Sequence, residues 1–462
     1  MSSGISFSKI ISILLSVVVL IIIIFMFSIT TNFNKINIID LSVLATFIFN
    51  GLIWLFLLIK ETNKRPFSLM MINWAFCILF FFMAPVVQYT NFLFPWVGNR
   101  SDDIILYANI CLFVWTIFII IGSFFAKRSK TNNLKNAKTI YLSFSLILIL
   151  TIFNILIMFW NVYNVGFANI FSRATRSFII LEERSITILI SHLSQAIAYF
   201  AFIYALLYVK KNRKGFLFMF INGIALLISC FPTALSRHAA AVIYFGILLI
   251  STKLFRIKGV FLTVLLFSFI IVFPFMEVFR NLSIQDIDIL GYLSNVFSNI
   301  SSIWLGGGYD AYSNFTLVIE YVKQYGPTWG YQLLGVLFFF IPRAIWPLKP
   351  IGTGAFIASS LGWRFTNISA PLPAEGFINF GIFGLILFAF ILGYAITRAD
   401  EYYWKNMING SKENITNFSV IYPVCVMFLF FIYRGDLLSS YAYLMAYIFV
   451  WFVISRRFFI HI

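Results

Sequence analysis

The stretch IPRAIWPLKPIGTGAFIASSLGWRFTNISAPLPAEGFINFG, residues 341–381, closes the one long interval between hydrophobic segments in this chain. Its prolines Pro342, Pro347, Pro350, Pro371 and Pro373 forbid a continuous helix, because each lacks an N–H donor and restricts the residue before it. Set into that irregular backbone are Arg343, Lys349, Arg364 and Glu375, with Trp346 and Trp363 among them. Irregular backbone beside a membrane persists only where protein or water satisfies its polar groups, and long non-repetitive loops are where binding residues collect. The stretch is therefore the first place to look for a site.

On either side the chain is strongly apolar. Of 462 residues 61% are hydrophobic and only 11% charged, and the mean hydropathy is +0.95. Such a chain is an all-α polytopic membrane protein. Apolar runs long enough to cross about 30 Å of hydrocarbon predict about twelve transmembrane helices, at 9–30, 40–59, 68–88, 104–126, 139–160, 187–209, 215–233, 238–252, 259–276, 376–397, 417–433 and 437–454. The eighth is short. The first reads as an uncleaved span, since it is too long for a signal-peptide core and no A-x-A follows. Residues 1–276 then hold helices one to nine, 277–375 a large extracytoplasmic loop, and 376–462 the last three helices, all in one integral domain. Within the loop, LLGVLFFFIP (333–342) is too short to span and is expected to re-enter the membrane or lie in the interface, and 290–305 and 309–325 have the mixed character of short interfacial helices.

Lys and Arg set the orientation, because positive loops stay cytoplasmic. The segments 60–65, 127–138, 210–214, 253–258 and 398–413 fall on one side with Lys9 and Arg456–Arg457, which places both termini in the cytoplasm. That side carries the whole formal charge of +17, and the outer side balances 12 basic against 12 acidic residues. The charge is an orientation signal, and nucleic acid is excluded as the partner it points to. The outer basic residues are nine Arg and three Lys, whereas the cytoplasmic side has 7 Arg and 14 Lys. A guanidinium fork grips phosphate oxygens at two points and an ammonium does not, so the skew fits an external anionic ligand; snorkelling or pairing with outer carboxylates is the plainer account.

Three further outer features carry arginine. The loop 166–184 holds Arg173, Arg176 and Arg184; the turn TALSRHAAA (233–241) holds Arg237 and His238; YRGD (433–436) holds Arg434 and Asp436. In the last, a cation ends one helix and an anion starts the next, as helix dipoles favour. Arg280 stands at the start of the large loop.

Nucleotide chemistry has no foothold: there is no G-x-x-x-x-G-K-[ST], and Gly306–Gly308 reads as a flexible bend on the outer side. Any group transfer must use a donor already activated outside the cell. Asp286-Ile287-Asp288 is a D-x-D, a pattern able to hold a divalent cation, but without a further carboxylate beside it the pair reads as solvated loop. The four cysteines are scattered through apolar runs and the three histidines form no H-x-x-x-H pair, so no metal site and no cofactor is expected.

The layout of about twelve spans with one large late outer loop resembles the bacterial O-antigen and capsule repeat-unit polymerases of the Wzy type. The stretches that carry the likeness are IPRAIWPLKP (341–350), PAEGFINFGIFG (373–384), the Arg343-x10-Gly354 spacing, SRH (236–238) and YRGD (433–436). O-antigen ligases share the architecture but typically carry a histidine in the large loop, and this loop has none. The resemblance implies a GT-C-like architecture in the bacterial inner membrane and an inverting glycosyl transfer without nucleotide or metal. Donor and acceptor would both be undecaprenyl-pyrophosphate-linked oligosaccharides, with a chain-length regulator and a flippase as further partners. Guanidinium groups would stabilise the departing pyrophosphate: Arg343, Arg364, Arg237, Arg434, Arg173, Arg176 and Arg280, with Lys349. Glu375 and His238 are the candidate bases for the acceptor hydroxyl, and Trp346 a surface for a sugar ring. Glu375 is equally placed to cap the tenth helix. The competing class is a flippase or transporter of lipid-linked sugars. Transporters favour repeated halves and midplane charges, whereas the charges here lie at span ends.

Overall fold

The computed structural model describes residues 40–129, 142–171, 173, 184–272, 276, 291, 300–409 and 416–457, and among these it contains helices and no strand. In chain order they are α1 (Leu41–Lys64), α2 (Leu69–Thr90), α3 (Asp102–Arg128), α4 (Phe144–Val165), α5 (Arg184–Asn212), α6 (Phe216–Ser229), α7 (Arg237–Ser251) and α8 (Val260–Phe267). The later part comprises α9 (Ile300–Leu305), α10 (Ala311–Tyr325), α11 (Tyr331–Leu337), α12 (Thr353–Ser360), α13 (Leu372–Asn409), α14 (Asn417–Arg434) and α15 (Leu437–Arg457). Among the described residues, 9 helices are long and apolar enough to cross a membrane: α1 to α6 and α13 to α15. The expected first span lies outside the described residues. The expected eighth is the shorter apolar helix α7, and the expected ninth is described over 259–272 and at Met276.

The hub is α2. Met71, Ile72, Phe76, Phe81, Val86 and Val87 along it are fully buried, so it is enclosed by protein where α1, α4 and α6 turn one side to lipid. Pro85 explains an irregularity in it. With no N–H and a ring that crowds the preceding turn, it is accommodated by a π-helical segment just upstream, Cys77–Met83. Phe49, Phe56, Phe153, Phe159, Phe220 and Phe383 stay exposed, which is stable only because hydrocarbon is their solvent.

The helix ends sort the charges. At one end the Tyr89 hydroxyl donates to Asp102 at 2.8 Å and accepts from the Asp40 N–H at 3.2 Å, joining α1, α2 and α3. At the other end Lys258 reaches the Asn63 carbonyl at 2.6 Å, Lys210 that of Ser251 at 2.7 Å, and Arg398 that of Ser129 at 3.1 Å. There Asp400 caps α2 through the N–H groups of Leu69 and Met70 and pairs with Arg65 at 3.3 Å. The described parts of the loops read as Lys-rich and cytoplasmic thus gather at one end, and the described candidate site residues lie at the other.

Backbone contact holds α13 to α3. A Cβ at Gly122 would stand 2.2 Å from the Phe390 carbonyl oxygen, and one at Gly393 would stand 2.2 Å from that of Ile119. Small residues drive helix association in membranes by permitting this approach. Gly393→Leu is expected to lower stability by about 1–3 kcal/mol through overpacking, read as thermal unfolding in detergent. Gly223→Ala is the matched control: its new Cβ would meet Phe202 at an ordinary 3.4 Å, and unfolding should stay unchanged or rise.

Two expectations about the loop need correction. The helix expected from 376 begins at Leu372 and breaks at Phe380 and Gly381, where φ is −144° and +60°. Glycine tolerates that positive φ, and the chain folds back far enough that a Cβ at Gly384 would lie 2.0 Å from the Gly376 carbonyl oxygen. The 309–325 segment is no interfacial helix over its first part: Ala311–Ile319 are all buried. Its polar residues bond inward, Tyr312 to Asn109 at 2.9 Å, Ser313 to the Pro95 carbonyl at 2.8 Å and Asn314 to Ser369 at 2.9 Å.

Candidate functional site

The site is assembled around a three-glycine turn. Gln88, buried on α2, donates to the carbonyls of Trp304 and Tyr309 at 2.9 and 3.0 Å and so pins the turn between α9 and α10. Gly307 lies against the Trp96 ring, where a Cβ would come within 2.5 Å. This is an anchored turn, not the flexible bend expected of Gly306–Gly308. Its carbonyls face Arg434: Nε donates to Gly308 O at 3.1 Å and Nη2 to Gly307 O at 2.8 Å. Nη2 also meets Asp310 Oδ1 at 3.3 Å.

Asp310 is itself fixed, since its carboxylate accepts from the Ser369 hydroxyl at 2.8 Å and from Trp96 Nε1 at 3.0 Å. One edge of the Arg434 guanidinium is therefore held rigidly. Nη1, on the other edge, makes no hydrogen bond among the described residues, and the side chain is 29% exposed.

Other cations converge on this point. Arg237 approaches Gly308 from the start of α7, its Nη1 3.7 Å from where a Cβ would stand. The charges of Arg173, Arg434 and Arg237 all act at the His238 ring. Arg173 follows a segment docked onto the turn before α7 by the Thr233 hydroxyl, which donates to Phe171 O at 2.5 Å. His238 belongs to an aromatic cluster: its ring stacks on that of Phe431 at 3.8 Å and lies 5.7 Å from that of Tyr443, which in turn stacks on His192 at 3.7 Å. Ser236 Oγ is 3.3 Å from its Nε2.

The acidic half adjoins the same turn of chain. Asp436 caps α15 through the N–H of Ser439 at 2.9 Å and its hydroxyl at 2.9 Å. Burial pushes the Asp436 carboxyl above the usual aspartate range against the pull of those bonds. Glu375, only 1% exposed, accepts from Thr353 Oγ1 at 2.7 Å and from the Leu437 N–H at 2.8 Å. Its side chain caps α15, although it stands in the first turn of α13, just before the tenth predicted span (376–397). Gly352 packs on Asp436, a Cβ there falling 2.6 Å from Oδ1, so α12, α13 and α15 meet around the two carboxylates.

The structure thus joins Arg434, Arg237, Arg173 and His238, with Glu375 reached through the turn 434–437. Arg343 and Lys349 are employed otherwise. Arg343 donates to the carbonyls of Lys349 and Pro350 at 2.7 and 3.2 Å, and Lys349 to those of Phe339 and Ile341 at 2.5 and 3.0 Å, all within their own loop. Gly354 is small for a packing reason: a Cβ would come within 2.1 Å of Ile368 O. Trp346 is half-buried in that loop and Arg364 is exposed. Arg176, Arg280 and the D-x-D at 286–288 lie outside the described residues.

Asp310, Ser369 and Thr353 went unnoticed in the sequence. Asp310 meets Arg434 across 124 positions, and no local pattern marks such a pair. No family model, curated protein or solved structure matches this chain.

Proposed function

We propose that this protein is a membrane glycosyltransferase that joins lipid-pyrophosphate-linked oligosaccharide repeat units into a polysaccharide on the outer face of a bacterial inner membrane. The observation that carries the reading is Arg434, held along one edge by Gly307, Gly308 and Asp310 with Nη1 left open, in the company of Arg237 and Arg173. A pre-positioned guanidinium is what a departing pyrophosphate needs, because it stabilises developing charge without reorganising. In the reaction an acceptor hydroxyl oxygen attacks the anomeric carbon of the donor glycan from the face opposite the phosphate. The bond from that carbon to the phosphate oxygen breaks and its electron pair leaves with the lipid pyrophosphate. The hydroxyl proton passes to Glu375, with His238 as the second candidate. Asp310 positions Arg434 and does not touch substrate.

A second reading has one observation in its favour. The break in α13 at Phe380–Gly381 is the kind of interrupted helix that transporters place at their binding sites. Purified protein in detergent separates the two, since transport has no sides to act across. With lipid-pyrophosphate repeat units as sole substrate, a ladder of lengthening products is expected, undiminished by excess chelator because the charge is met by guanidinium groups. No ladder in detergent, with translocation in sealed vesicles, would establish the flippase. Transfer only onto a lipid A core acceptor would establish a ligase. Loss of the ladder on chelation, restored by magnesium or manganese, would replace the arginine account with a metal.

A further inference from the structure

The segment from α11 to Pro350 presents an unusual surface. Apart from Arg343, its large exposed side chains are apolar: Leu334, Leu337, Phe338, Phe340 at 63%, Ile345 at 76% and Leu348 at 79%. Just before it, Trp329 is 78% exposed. In water such a run is costly. Yet the segment has only a seven-residue helix, so most of its carbonyls lack helical partners and would be costly in lipid.

The side chains resolve the conflict. Lys349 Nζ satisfies Phe339 O at 2.5 Å and Ile341 O at 3.0 Å, Arg343 satisfies Lys349 O and Pro350 O at 2.7 and 3.2 Å, and the Tyr331 hydroxyl satisfies Leu348 O. Backbone turns take the N–H groups of Phe338, Ile341, Ile345, Trp346 and Lys349. Pro342, Pro347 and Pro350 have no N–H to satisfy. An irregular segment that closes many of its backbone polar groups inward while its large apolar side chains point outward fits hydrocarbon better than water.

Its place in the bundle agrees. The Phe339 ring lies 5.8 Å from that of Tyr441, four residues and so about 6 Å along the spanning helix α15. Leu333 N–H is held by Asn379 at 3.3 Å, at the bend of α13, beyond which Ile382, Phe383 and Ile391 stand exposed on a membrane-spanning helix. The apolar surface is therefore continuous with the membrane-facing surface of the bundle. We propose that residues 334–348 form a platform sunk into the outer acyl layer of the bilayer, with Arg343 and Lys349 as the carbonyl caps that allow it to sit there. The inference is independent of the reaction proposed above.

Nitroxide labels test it in full-length protein reconstituted into phospholipid vesicles. Labels are placed at Ile345→Cys and Leu348→Cys, with Phe383→Cys as the lipid-facing reference and Asn367→Cys as the water-facing one. A Cys425→Ala background removes the half-buried native thiol. At 345 and 348 the ratio of oxygen to nickel-chelate collisions is expected to match 383 and to exceed 367 several-fold. A ratio equal to that at 367 would overturn the proposal in favour of an aqueous loop. Protection from both reagents, with dipolar broadening between labels, would overturn it in favour of a second copy covering the surface. Lys349→Met is expected to raise nickel-chelate access at 345 toward the 367 value; if it fails to fold, the unsubstituted labels decide alone.

Discussion

Replacing Arg434 with lysine is expected to lower polymer formation per folded molecule by about 10²–10³-fold, the loss that follows removal of one pre-positioned donor from a charge-stabilising site. Lysine keeps the positive charge at the end of α14, so the favourable helix-dipole term survives. What it cannot keep is the planar fork that bonds Gly307 and Gly308 along one edge while offering Nη1 along the other. If Arg434 served only to tie the glycine turn to α14, the variant would show less folded protein with undiminished activity per molecule. Ladders normalised to membrane-inserted protein, with a thermal unfolding curve beside them, distinguish the two. Accumulation of lipid-linked repeat units in the variant strain is expected as well, because the block falls at transfer.

The second large effect is at Glu375. Glu375→Gln is expected to reduce the transfer rate by about 10²–10⁴-fold, the usual contribution of a general base, while leaving the fold nearly intact. An amide oxygen can still accept from the Leu437 N–H, and the amide nitrogen can donate to the Thr353 hydroxyl, which turns to accept. Only the negative charge beside the start of α15 is lost, at about 0.3–1 kcal/mol. Glu375→Ala should behave differently, since it leaves the Leu437 N–H and the Thr353 hydroxyl buried without their acceptor, at about 1–3 kcal/mol each. A glutamine variant with wild-type turnover would make Glu375 a cap alone and pass the proton to His238, whose alanine variant would then be the inactive one.

Composition and loop charge were sufficient for much of this protein. Long apolar runs bounded by Lys and Arg can satisfy their backbone in a bilayer only as helices, which makes the class, nine of the twelve expected spans and the two charged ends readable one segment at a time. The turn Arg434-Gly435-Asp436 was readable too, because helix dipoles and caps act over one turn of chain. The proline-rich loop was rightly picked out as irregular, but what Arg343 and Lys349 do in it depends on which carbonyls happen to face them.

The site itself was decided by tertiary structure. Arg434 is held by a turn more than 120 positions away, and that turn is held by Gln88 from the buried α2. Glu375 meets the start of a helix 62 positions further on. α13 breaks at Phe380 and Gly381, and a lone glycine in an apolar run gives no warning of a positive φ. Local patterns encode what a residue does within its own turn of helix. Which buried donor finds which acceptor across the bundle is fixed only when the helices pack, because the cost of an unsatisfied polar group is collected there.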